Sequence, residues 1–265
     1  MRYLLIILKI LTLTILFSAF STAQARDRVF LLAGQSNMKG LGATYQLKHW
    51  QKRTPHNVVF YNNGSQRPVP LVRGGRFGPE VAFAHKLSRS FPRDRIILIK
   101  VAAGGTPITQ WTPGTRNYRA IINQVRHSLR QNKQAKQVDA ILWMQGESDA
   151  STPHRAHRYA GNLKRIISYL RRDLRSPHSL FMIGQVNPLA SRFPHVNTVR
   201  AQQMLVHRQV RNTQLIPTGG LSKMGDQLHY DTNGQLQLGN RFAAAWFRTR
   251  PNRRQGRGYI AQRRR

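Results

Sequence analysis

Beyond residue 25, short apolar runs alternate with longer segments whose apolar residues recur at three- and four-residue steps. A run of roughly four to eight apolar residues reads as a strand buried on both faces. Such runs predict strands over 29–33, 58–61, 96–101, 140–144 and 180–186. The helical spacing predicts helices over 80–91, 118–132, 154–174, 196–211 and 234–248. In the helix over 154–174, Tyr159, Leu163, Ile166, Ile167 and Leu170 form one core-facing stripe, with the arginines turned to solvent. Pro79 and Pro153 stand where a first helical turn begins, and Asn233 is placed to cap the last helix. The stretches 40–56 and 64–78 are rich in Gly, Pro and polar residues and read as loop-like insertions.

Strands alternating with helices predict the α/β class: a three-layer α/β/α sandwich, flavodoxin-like, with a central parallel sheet of about five strands. No repeat or linker divides it, so the chain reads as a leader over 1–25, one domain over 26–248 and a tail over 249–265. The leader has Arg2, then an almost wholly apolar run from Tyr3 to Phe20, then the small-x-small sequence Ala23-Gln24-Ala25. That is the pattern of a cleaved signal peptide and predicts a periplasmic or secreted protein; the alternative is an uncleaved N-terminal anchor. Nothing else approaches membrane-spanning length, so no transmembrane span is expected in the mature chain.

Composition narrows the chemistry. There is no cysteine, which excludes disulfides, thiolate metal sites and a cysteine nucleophile. Lys and Arg total 43 against nine acids, for a formal charge of +34. Such a field attracts anions and predicts non-specific binding to anionic polymers. The last stretch, from Arg248 to Arg265, carries eight arginines and no acid, and reads as a disordered basic tail. Elsewhere the basic residues are dispersed, and no nucleic-acid-binding signature accompanies them, so no specific nucleic acid partner is expected.

In an open parallel sheet, ligands sit beyond the carboxyl ends of the strands. After the first predicted strand comes Gly34-Gln35-Ser36-Asn37-Met38, after the third Ala103-Gly104-Gly105-Thr106, and after the fourth Gln145-Gly146-Glu147-Ser148-Asp149. These three elements should gather at one rim. A serine hydroxyl becomes a nucleophile only when an oriented base takes its proton. Asp226-Gln227-Leu228-His229 supplies a carboxylate and an imidazole three residues apart. Each string read alone has a plainer meaning: Ser36 capping a helix, a glycine turn, an acid capping the next helix, a surface ion pair. Three of the nine acids nevertheless fall within these strings. His154 and His157 have a spacing seen in metal sites, but no carboxylate cluster joins them, and they read as solvated. The nucleophile-elbow pattern G-x-S-x-G is absent around Ser36, which argues against an ordinary α/β-hydrolase.

Taken together, these strings and Gly78-Pro79-Glu80 and Asp226-Gln227-Leu228-His229-Tyr230 resemble the SGNH hydrolases, in particular the sialate O-acetylesterase and acetyl xylan esterase group of carbohydrate esterase family 6. The resemblance runs from about residue 28 to residue 247. It implies an SGNH fold and a carbohydrate O-acetylesterase with Ser36, Asp226 and His229 as catalytic triad. It implies an oxyanion hole from Ser36, Gly104 or Gly105 and the Gln145 side chain, with Gln35, Asn37 and Glu147 in support. The broader SGNH group often has an asparagine in its third block where this chain has Gln145. Trp111, which follows the glycine turn, is a candidate for stacking on a sugar; packing at the rim is the equal alternative. The implied reaction needs no metal and no organic cofactor. Its substrate would be an acetylated carbohydrate, neutral or anionic: sialic acid, xylan or a cell-wall glycan. The competing reading is a non-catalytic cationic protein on the same fold that holds anionic polymers.

Overall fold

The computed structural model describes residues 25–249. Residues 1–24 and 250–265, with nearly all of the expected leader and tail, lie outside the described residues. In chain order the strands are β1 (Asp27–Gly34), β2 (Gly42–Ala43), β3 (Val58–Asn62), β4 (Arg76–Phe77), β5 (Arg95–Ala102), β6 (Ala140–Met144), β7 (Leu180–Gly184) and β8 (Thr213–Ile216). The helices are α1 (Ser36–Lys39), α2 (His49–Lys52), α3 (Glu80–Ser90), α4 (Arg116–Gln131), α5 (Pro153–Asp173), α6 (Val196–Gln209) and α7 (Thr232–Arg248).

Six strands form one parallel sheet in the order β3-β5-β1-β6-β7-β8. The central strand shows why its sequence must be apolar throughout. Val29, Leu31 and Ala33 face a core shared with α4, α5 and α6, whereas Phe30 and Leu32 face a second core shared with α3 and α7. Side chains that alternate in direction thus meet a helical layer on either side, which makes the three-layer sandwich. The predicted Tyr159-to-Leu170 stripe is fully buried in the first of these cores.

Every expected strand and long helix is present, with ends displaced by no more than two residues. The sheet has six strands rather than about five: β8 pairs with β7 from Phe181↔Thr213 to Gly184↔Ile216. It is an edge strand of four residues, and only its ends are buried, so it has no apolar run to betray it. The cap of α7 is also displaced. Asp231, not Asn233, precedes the helix and accepts from the Gly234 N–H at 2.8 Å. The insertions around 40–56 and 64–78 fold into α2 and the antiparallel β2–β4 pair.

The chain reverses its direction of travel across the sheet at β1. It reaches β3 and returns through β5 on one side, then continues through β6, β7 and β8 on the other. The crevice at such a switch point opens beyond the carboxyl ends of β5, β1 and β6.

Candidate active site

Gly34 ends β1 at φ +147, and a Cβ there would lie 2.0 Å from the Met144 carbonyl oxygen. Only glycine lets the end of β1 press this closely on the end of β6. The next residue locks the approach: the Gln35 N–H donates to Met144 O at 2.9 Å. Ser36 is then the first residue of α1, with Gln35 as its cap. The Ser36 hydroxyl does not cap the helix, because it meets His229 Nε2 at 2.9 Å.

His229 comes from the loop before α7. Gln227 adopts φ +53, a left-handed conformation that costs energy in a residue with a Cβ and recurs at functional sites. The tight loop folds the Asp226 carboxylate back on its own segment. Asp226 Oδ1 accepts from the N–H groups of Leu228 and His229, each at 3.0 Å. Oδ2 lies 2.5 Å from His229 Nδ1. A carboxylate only accepts, so Nδ1 carries the proton and Nε2 is left to accept from the Ser36 hydroxyl. Burial works against the charge on Asp226, but these N–H groups and the imidazole outweigh it and hold its carboxyl below the usual range.

Asn37 fixes the loop from the other side. Its Nδ2 donates to Glu147 Oε1 at 2.7 Å and to Leu228 O at 3.2 Å, and its Oδ1 accepts from the Tyr230 N–H at 3.0 Å. One amide therefore grips the residues immediately before and after His229. Glu147 is buried, and desolvation pushes its carboxyl up from the ordinary value.

Gln35 ties the first block to the third. Its Oε1 accepts from Gly146 N at 3.2 Å and more distantly from Ser148 N and Gln145 Nε2. The glycine block closes the remaining side. A Cβ added to Gly104 would stand 3.8 Å from Ser36 Cβ, and Gly105 turns at φ +69 with open space before it. Among the described residues, no backbone or side-chain acceptor takes the N–H of Ser36, Gly104 or Gly105. These are the donors an oxyanion beside Ser36 would meet.

Two expectations need correction. Gln145 is fully buried, and its amide hydrogens are spent on Thr106 O at 3.0 Å and Asp149 Oδ2 at 2.6 Å. It buttresses the rim and has no donor left for an oxyanion. Trp111 is also fully buried, edge-on to Trp143, with its indole N–H donating to Thr106 Oγ1 at 2.9 Å. A side chain with no exposed face cannot stack on a sugar.

Sequence reasoning missed several supports. Asp149 accepts from the Ile108 N–H through both oxygens, at 3.1 and 2.9 Å, and so binds the glycine turn to the third block. Burial pushes its carboxyl up to about 6. Gln203 of α6 donates to Gly184 O at 3.2 Å and accepts from Val186 N at 3.0 Å. Lys100 of β5 pairs with Glu80 at 2.8 Å in the interior and donates to Lys39 O, the end of α1, at 2.9 Å. Glu80 in turn accepts from the Gly78 N–H at 2.9 Å. A charged residue inside an apolar strand run gives no local sign of its partner, so only the Glu80 motif was legible.

A profile of the family described as carbohydrate esterase, sialic acid-specific acetylesterase, matches residues 26–248. A probable carbohydrate esterase of Arabidopsis thaliana is 31% identical over 242 residues, covering 83% of this chain and 90% of the relative. The X-ray structure of that Arabidopsis protein superposes with a TM-score of 0.74 at 25% identity, covering 84% of this chain and 99% of the other. A carbohydrate acetylesterase of Xanthomonas citri superposes with a TM-score of 0.63 at 21% identity, over 82% of this chain and 55% of its own, and shares the fold.

Proposed function

The chain belongs to the carbohydrate esterase family of sialic acid-specific acetylesterases, and from that premise we propose that it removes O-acetyl groups from a carbohydrate through Ser36, His229 and Asp226. The observation that carries this reading is the unbroken line from Asp226 Oδ2 to His229 Nδ1 at 2.5 Å and from His229 Nε2 to Ser36 Oγ at 2.9 Å.

Ser36 Oγ attacks the acetyl carbonyl carbon as its proton passes to His229 Nε2. The carbonyl oxygen takes up the electron pair and is met by the N–H groups of Ser36 and the Gly104–Gly105 turn. Each such donor typically lowers the barrier by about 3–4 kcal/mol. Asp226 holds the imidazolium. The tetrahedral intermediate then expels the sugar oxygen, which takes the proton from Nε2 and leaves an acetyl ester on Ser36. Water attacks that ester as Nε2 takes its proton, acetate departs, and Nε2 returns the proton to Ser36 Oγ. Asn37 keeps His229 in place throughout by gripping its two neighbours.

The test is hydrolysis of an aryl acetate, followed by acetate release from acetylated sialoglycan, xylan and peptidoglycan. We expect turnover by the wild type and a loss of at least about 10⁴-fold in Ser36→Ala. A Ser36→Ala protein that kept the wild-type rate would overturn the assignment. The leader sequence supports export; N-terminal sequencing of the mature protein should begin at Arg26, and a retained Met1 would contradict cleavage.

A further inference from the structure

Beside the Ser36 site lies a groove of about 970 Å³ that the proposed mechanism leaves unused. One wall is α4, whose Arg116, Ala120, Asn123, His127 and Arg130 recur at three- and four-residue steps and line it as a single stripe. The other wall is the turn after β3, including Asn63 and Gln66. At one end the groove is bounded by Ala103 and Thr106, which flank the two glycines set against Ser36. The stripe runs over 15 residues of helix, 14 rises or about 21 Å, room for several sugars in line.

The walls are tied to each other. Gln124 Nε2 donates to Ser65 O at 3.0 Å, and His127 Nε2 lies 2.8 Å from Gln66 O. The groove is therefore formed before anything enters it, which limits the ordering cost of binding. Its lining sets amides, hydroxyls, one imidazole and two guanidinium groups over Val101 and three alanines, with no acid and no Phe, Tyr or Trp. Among the described residues, Arg116 and Arg130 have no acidic partner, in a chain whose acids are all engaged elsewhere.

We propose that this groove binds an anionic polysaccharide chain, with Arg116 and Arg130 taking charged groups near its two ends and the amides taking its hydroxyls. Resting on the esterase reading, this makes the substrate a charged polymer whose acetyl group is presented at Ser36 while neighbouring sugars lie along α4. Guanidinium groups recognise carboxylate and sulfate by paired charge-assisted hydrogen bonds. The lack of aromatic side chains disfavours both a neutral glycan held by ring stacking and a single-stranded nucleic acid held by base stacking.

The test separates the groove from the catalytic centre by using Ser36→Ala protein and unacetylated oligogalacturonate, with binding followed by calorimetry at low salt. Arg116→Ala with Arg130→Ala should weaken binding about tenfold. A control that removes equal charge from α5, Arg158→Ala with Arg165→Ala, should leave it unchanged. In the Ser36 protein, the first pair should lower the ratio of kcat/KM on acetylated polygalacturonate to that on aryl acetate about tenfold. The groove assignment falls if the control weakens binding equally, since net charge then accounts for it. It also falls if a single-stranded oligonucleotide of equal charge binds as tightly and is weakened as much by the same pair. An absence of all aryl acetate turnover would instead defeat the esterase reading, with the binding arm still deciding the groove.

Discussion

At the amino-terminal end of the sheet, carboxylates meet guanidinium groups; at the carboxyl-terminal end, three acids around Ser36 meet amides, N–H groups and an imidazole. Asp27 pairs with Arg95, Asp94 with Arg28, and Asp139 lies 3.6 Å from Arg26 while accepting from the Val29 N–H. At the opposite rim, Asp226 holds His229, Glu147 holds Asn37 and Asp149 holds Gln145. The lower set neutralises charge and fastens the entries of β1, β5 and β6. The upper set uses carboxylate oxygens to orient its partners. Among the described residues, none of these three carboxylates forms a salt bridge with an arginine, in a chain with 43 basic residues. Arg192 donates only to the Asp226 backbone oxygen, at 3.4 Å, which leaves both carboxylate oxygens to the loop N–H groups and the imidazole.

The contrast can be broken first at Asp226. Asp226→Asn retains much of the shape but loses the negative charge and the preferred tautomer, so kcat should fall about 10⁴-fold with little change in melting temperature. A fall of less than about tenfold would place Asp226 with the structural acids. The reverse holds for Asp94→Ala at the lower end. It leaves the Arg28 guanidinium buried without its carboxylate, and chemical denaturation should show a loss of about 3 kcal/mol with kcat/KM of the folded protein unchanged. Altered kcat/KM would show that the two ends are coupled.

Asn37→Ala probes a neutral partner in the upper set. It frees both sides of His229, and kcat/KM should drop about 100-fold, the scale expected of a small displacement of a catalytic group. The last test concerns pH dependence at Asp149. Its folded carboxyl is raised by burial to about 6, against an ordinary value of 3.8. The folded state therefore binds the proton more tightly, and this contribution to stability is complete below about pH 4 and lost as pH rises through about 6. Across that window the wild type should lose about 3 kcal/mol relative to Asp149→Asn, whatever constant offset the substitution introduces. A pH-independent difference would mean that Asp149 is not buried as a titrating acid.

The lower end and the rim were not equally legible. Strands such as Ala140–Met144 announce themselves because burial on both faces demands an unbroken apolar run. Ser36, Asp226 and His229 were legible because their chemistry requires particular residue types close to strand ends and loops. β8 was not, since an edge strand of four residues with Gln214 inside it needs little apolar character. Trp111 misled for a different reason. A tryptophan after a glycine turn reads as a rim residue until a hydroxyl, here that of Thr106, is found to satisfy its N–H in the interior. Gln145 misled likewise: its type fits an oxyanion donor, and only the positions of Thr106 and Asp149 reveal that its hydrogens are taken.

The hydrogen bond between Ser36 and His229 joins residues 193 positions apart in the chain. The nucleophile leaves the ribosome with the first strand, whereas its base follows the sixth strand of the sheet. A nascent or truncated chain that stops before residue 226 contains all eight strands and every residue of the groove along α4, yet has no base for Ser36. On the proposed mechanism, hydrolysis is thus a late event in the life of each molecule: turnover reports that synthesis has passed the final loop and that the two ends of the domain have met.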